Sequence, residues 1–221
     1  MSDPYPATAP VGPASVARHE RSRLCDLFDE VGPNAPTLCA GWESKDLVVH
    51  LLRREGTPAD AVRLALRAVR HESPIRQDSS ADFSALVARL RTGPPLLSLF
   101  GLPLADDLLD TLEFYVHHED LRRAAADWQP RSLPTWVEDK LWRLLSLPAR
   151  AAMRRSPVGV TLQRSDDGRR LTPVRKPASV TVRGLPSEAT LFAFGRRSVA
   201  QVEVTGDPSA IAALADAQLG V

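Results

Sequence analysis

Cysteine is nearly absent. The 221-residue chain has two, Cys25 and Cys39, too few for a disulfide framework. Lysine is almost as scarce, at three residues (Lys45, Lys140 and Lys176) against 25 arginines. With abundant alanine and proline, that balance reads as the coding bias of a GC-rich bacterium. An excess of either charge sign is missing too: the formal net charge is +1, and acidic and basic residues are interspersed. No field is left for holding a polyanion, so nucleic acid is not an expected partner. No apolar run approaches the ~18 residues of a membrane helix. The opening "MSDPYPATAPVGPAS" lacks the basic and apolar regions of a signal peptide. A cytoplasmic protein without a membrane partner is therefore expected.

The sequence that remains has two textures. Residues 1–12 are rich in Pro, Ala and Ser and read as a disordered tail. From 13 to 155, apolar residues recur at three- and four-residue spacing, the mark of amphipathic helices. One runs from Ser15 to about Val31 and is stopped by Gly32-Pro33-Asn34. A second, with Ser44 as cap, carries Leu47, Val48, Leu51 and Leu52. Further helical pieces lie at "ADAVRLALRAVRH" and from Asp82 to Leu90, and a long uninterrupted one runs from Leu104 to about Ala126. The last covers Pro134 to Met153, with Pro148 expected to kink or split it. From 156 to 221 the pattern alternates. "VGVTLQRSDDGRRLTPV" reads as a hairpin turning at Asp167-Gly168. "ASVTVRG" and "SVAQVEVTG" read as strands separated by a helix. A closing helix begins with Asp207 as N-cap and Pro208 at its first position. The fold class expected is α+β, with a helical domain at 13–155 and a small α/β domain at 156–221.

Two of the five histidines are adjacent in "TLEFYVHHEDLRR". Glu113 and His117 are four residues apart, so on a helix they share a face, one turn above the other. That spacing can present a carboxylate oxygen and an imidazole nitrogen to one borderline divalent ion such as zinc. His118 points about 100° away and cannot join them. His50, set among Val48, Val49, Leu51 and Leu52, is the candidate for a third ligand from a facing helix. Three protein ligands would leave a coordination position open, as in catalytic sites. The plain alternatives stand beside this: an exposed E-x-x-x-H pair arises by chance, and a lone histidine in an apolar helix is commonly a hydrogen-bonded core residue.

Other residues carry two readings. Asp46 and Asp120 could each fix a ligand histidine's tautomer or be helix acids with no such role. Glu119 faces away from Glu113 and is expected to be exposed. Trp42 is read as packing, Cys25 as core, and Cys39 as a small buried residue, a thiol ligand or a redox partner. Arg53, Arg54, Arg196 and Arg197 could attract an anionic substrate or be solvated surface residues. His19 and His71 read as surface residues.

"LCAGWESKDLVVHLLRRE", with Trp42, Asp46, Leu47 and His50, resembles the second-helix signature of the mycothiol-dependent maleylpyruvate isomerase superfamily, within the DinB-like metal-binding bundles. "LEFYVHHEDLRRA" resembles its second signature, and "LFAFGRR" before a final strand and helix resembles its small C-terminal domain. The resemblance implies a DinB-like four-helix bundle with a metal site of His50, Glu113 and His117, holding zinc or another divalent ion. It also implies mycothiol as cofactor, and a transferase or isomerase that uses this small-molecule thiol on a small electrophilic substrate. The protein would be a monomer or homodimer. A metal-dependent hydrolase, or a non-catalytic metal or small-ligand binding protein, is the alternative.

Overall fold

The structure is a computed structural model, and it describes residues 5–6, 16–54, 82–93 and 110–217. The helical segments expected within 55–81 and 94–109, and His71, lie outside the described residues. The chain divides into two compact units, one of residues 12–129 and one of residues 1–11 with 130–221. The described residues contain helices and a four-stranded sheet, an α+β fold.

In the first unit, four described helices surround one core: α1 (Val16–Val31), α2 (Ser44–Arg54), α3 (Phe83–Thr92) and α4 (Thr111–Arg122). Helix α1 buries Val16, Ala17, Leu24, Cys25 and Phe28, an i, i+4, i+8 stripe. It ends where Gly32 takes φ 77° and its N–H bonds to Phe28 O at 3.0 Å, a left-handed turn that favours glycine. Leu24, Phe28, Leu47, Val48, Leu51, Leu86, Val87, Leu90 and Phe114 close the core between these helices. Asp82 caps α3 by accepting from Ser84 N–H at 3.1 Å.

Two local expectations change. Ser44 is not the cap of α2. The carbonyl of Glu43 accepts the first helical bonds, from Asp46 and Leu47, and the buried Ser44 hydroxyl donates to Gly32 O. Ser44 therefore ties α2 to the end of α1. Helix α4 ends at Arg122 rather than near Ala126. Its polar residues His117, His118, Glu119 and Asp120 are buried along with its apolar ones, while Glu113 and Arg122 keep some exposure.

In the second unit, helix α5 (Thr135–Met153) runs unbroken through Pro148. Strands β1 (Gly159–Arg164), β2 (Arg170–Val174), β3 (Ser179–Gly184) and β4 (Glu203–Gly206) form one sheet in the order β2-β1-β3-β4. The β1–β2 hairpin is antiparallel, β1 pairs with β3 in parallel, and β3 with β4 antiparallel. Helix α6 (Pro186–Ala193) connects β3 to β4, and α7 (Pro208–Asp216) follows, capped by Asp207. Trp142, Leu145, Ala149 and Met153 of α5 share a core with Val160, Leu162, Val180, Val182, Phe192 and Leu214. The alternating texture begins at 156, yet the packing of this unit begins one helix earlier. Arg164 is buried against Asp139 and Asp166 at 2.5 and 2.6 Å. Arg197 donates to Leu214 O at 2.6 Å and to Ala217 O, which joins the turn after α6 to the end of α7.

Candidate metal centre

Helices α2 and α4 each place histidine on the other. His50 projects from the second turn of α2, partly buried between Trp42 and His117, with each ring centroid 5.1 Å from its own. Its Nε2 lies 3.2 Å from Glu113 Oε1. His117, one turn after Glu113 on α4, brings its own Nε2 to 3.3 Å from the same oxygen. The structure thus brings His50, Glu113 and His117 together, with one donor atom from each lying within 4.8 Å of the others. A tetrahedral ion with nitrogen and oxygen ligands at about 2.0–2.1 Å needs ligand-to-ligand edges of about 3.3 Å. The two measured edges match that value, so these residues fit a divalent ion.

His117 is held from behind. Its Nδ1 is 2.9 Å from Oδ2 of Asp120, a fully buried carboxylate. With Nδ1–H donated to Asp120, the Nε2 lone pair is directed at Glu113 and His50. Of the two readings of Asp120, the geometry is that of a tautomer-fixing partner. Asp46 differs: its Oδ2 accepts from Glu43 N–H at 3.0 Å, so it closes the first turn of α2.

The loop before α2 supplies a further group. Thr37 Oγ1 lies 2.9 Å from Trp42 O and accepts from Cys39 N–H at 3.2 Å, and Leu38 N–H bonds to Asp120 O at 3.0 Å. That fold of the loop sets the half-buried Cys39 thiol over Asp120, donating to Oδ2 at 3.2 Å, with Sγ 4.0 Å from His117 Nδ1. Cys25 is a core residue, as expected, and burial pushes its thiol up to about 12.

Charge organises the rest. Arg54 donates to Asp110 Oδ1 at 2.5 Å and places Nε 3.4 Å from Glu113 Oε1. Asp110 is fully buried and also faces Arg21 at 3.8 Å. Asp110, which the sequence reading passed over, lies one turn before Glu113, and that three-residue spacing between two carboxylates is the signal that could have found it. Burial opposes ionisation of Glu113, yet hydrogen bonds from His117 and His50, with the nearby charges of His117 and Arg54, hold its carboxyl well below the usual range. Burial likewise opposes a charge on His117, yet Asp120, Cys39 and Glu113 hold it well above the usual imidazole range.

The neighbouring polar residues face elsewhere. His118 turns to α1, with Nδ1 2.6 Å from the buried Glu20 Oε2. Glu119, expected on the surface, is fully buried and paired with Arg122 at 2.9 Å and Arg123 at 2.5 Å. His19 is half-buried. Arg196 donates to Phe194 O at 2.6 Å.

Comparison with known proteins bears on this arrangement. Residues 15–101 match the family model of the mycothiol maleylpyruvate isomerase N-terminal domain. No curated protein matches the chain. Among solved structures, a crystal structure of the mycothiol-dependent maleylpyruvate isomerase has a TM-score of 0.58 at 18% identity, over 87% of this chain and 91% of that one. A histidine-to-alanine mutant of that isomerase gives a TM-score of 0.56 at 17% identity, over the same shares. The chain is thus similar to mycothiol-dependent maleylpyruvate isomerases, in sequence over residues 15–101 and otherwise in fold.

Proposed function

We propose that the protein is a metal-dependent enzyme that uses a low-molecular-weight thiol, mycothiol, to isomerise or modify a small electrophilic substrate. His50 Nε2, His117 Nε2 and Glu113 Oε1 would hold the ion, with zinc the ion proposed. The convergence of both imidazoles on one carboxylate oxygen, at 3.2 and 3.3 Å, carries this reading. The family model and the shared fold support the choice of thiol chemistry.

An ion bound there would supply the positive charge that keeps a coordinated thiol in its nucleophilic thiolate form at neutral pH. The chain's own residues do the rest. Asp120 holds the His117 proton at Nδ1 and so keeps Nε2 available. Arg54 steadies Glu113 through Oε1 and keeps it ionised. Trp42 packs against the His50 ring and limits its rotation. Three protein ligands leave room in a four-coordinate shell for one exogenous donor.

Elemental analysis in a Cys39→Ala background, alone and with His50→Ala or Glu113→Ala added, tests the ligand set. A stoichiometric ion in Cys39→Ala that both double variants lose is expected, and retention by both refutes the assignment. Cobalt-substituted protein then tests the chemistry. Mycothiol should shift its visible spectrum, and turnover should require the thiol. Turnover without any thiol would instead mark a hydrolase, and the absence of both responses a binding protein.

A further inference from the structure

We propose that Cys39, His117 and Asp120 form a second, thiophilic ion-binding set, which competes with the first set for the His117 ring. The second set stands on its own geometry. The competition rests on the reading that His50, Glu113 and His117 hold an ion.

Three donors of different chemistry meet on the far side of the imidazole. Cys39 Sγ, His117 Nδ1 and Asp120 Oδ2 all lie within 4.8 Å of one another. Their separations are 2.9 Å (Nδ1–Oδ2), 3.2 Å (Sγ–Oδ2) and 4.0 Å (Sγ–Nδ1). A tetrahedral ion with sulfur at about 2.3 Å and nitrogen and oxygen at about 2.0–2.1 Å spans edges of about 3.3–3.6 Å. The triangle brackets those edges, so shifts of a few tenths of an ångström would close it. Preorganisation is local. The Thr37 hydroxyl and the Leu38 N–H to Asp120 O bond fix the loop that carries Cys39, and Asp120 is fully buried.

The two sets differ in softness. The first offers two imidazoles and a carboxylate, the second a thiolate, an imidazole and a carboxylate. Thiolate favours soft ions, so cadmium(II) should prefer the second set and cobalt(II) the first. A neutral imidazole has one lone pair, so the ring serves one set at a time. With an ion on the first set, the ring proton sits on Nδ1 and is donated to Asp120. With an ion on the second set, it sits on Nε2 and is donated to Glu113 Oε1, 3.3 Å away, while the Cys39 thiol gives its proton to solvent. Capture of the ring by a soft ion would therefore dismantle the first set, making Cys39 the entry point for soft-metal inactivation.

Cadmium(II) titration of the full chain, followed by ultraviolet thiolate-to-metal charge transfer, is the test. The absorption should saturate at one equivalent in the wild type, Cys25→Ala and His50→Ala, and disappear in Cys39→Ala. Asp120→Asn should weaken it at least tenfold. No absorption in the wild type, or absorption that survives in Cys39→Ala, overturns the second set. In cobalt-loaded protein, cadmium should bleach the visible bands as its own absorption grows, and Cys39→Ala should need at least tenfold more cadmium. Cobalt bands that persist while cadmium saturates overturn the competition. Cobalt bands unchanged in His50→Ala and Glu113→Ala, beside the expected cadmium absorption, refute the first set and leave the second standing.

Discussion

Removing the charge behind His117 while keeping its shape should weaken ion binding by a definite amount. Asp120→Asn is the perturbation, made in a Cys39→Ala background so that only the first donor set can bind. The Nδ1–Oδ2 contact is 2.9 Å long and its carboxylate is fully buried. A hydrogen bond to a charged partner contributes roughly 1.5–3 kcal/mol, and a neutral one roughly 0.5–1.5 kcal/mol. Asparagine can still accept from Nδ1–H through its amide oxygen, so the loss is the difference, about 1–2 kcal/mol. That is roughly a 5- to 30-fold weaker ion, within the range of about 10–100-fold found for such outer partners. Competition titration of zinc against a chromophoric chelator measures it. The matched control is Asp46→Asn. Its carboxylate closes the first turn of α2 and touches neither histidine in the contacts described, so ion affinity should stay within about twofold while stability falls by about 0.5–1 kcal/mol. Unchanged zinc affinity in Asp120→Asn, or an equal loss in Asp46→Asn, would refute the assignment of Asp120 as the orienting group.

Three further outcomes follow from the same geometry. His117 holds its proton above the ordinary imidazole value of 6.5, and an ion must displace it. Zinc affinity should therefore rise with pH across neutrality, by up to about tenfold per unit, with proton release; calorimetry in buffers of different protonation enthalpy checks this, and a buffer-independent heat contradicts it. In the metal-free protein, the depressed Glu113 stabilises the fold above the ordinary carboxylate value of 4.5 and loses that contribution in acid. The raised His117 stabilises it below 6.5 and loses that contribution as pH rises through its elevated value. The excess melting temperature of wild type over Glu113→Gln should thus peak between those two values, and a flat difference across pH would count against it. Leu47 is fully buried in the core under the His50 helix, so Leu47→Ala should cost about 2–5 kcal/mol in urea denaturation of the metal-free protein.

The parts of the fold that are legible in the sequence are local ones. The end of α1 at Gly32, the turn at Gly168 and the cap at Asp207 follow from backbone geometry and side-chain chemistry within a few residues. The same holds for Glu113 and His117, whose shared face is a property of the α-helix. The exposure expected of Glu119 failed because a helical wheel gives direction and not what lies there. Arg122 and Arg123, three and four residues on, pair with Glu119, and that pairing is what lets its carboxylate be buried.

What the sequence by itself determined is the helical and alternating texture, the chain stops, and one carboxylate–imidazole pair at four-residue spacing. Only the tertiary structure decided that His50, 63 residues from Glu113, reaches the same oxygen as His117. Only it decided that Asp120 holds His117 while Asp46 closes a helix turn, and that Cys39 stands over Asp120 from 81 residues away. The physical reason is that helix periodicity orients a side chain about its own axis, whereas its partner is selected by which helix and loop pack against that face.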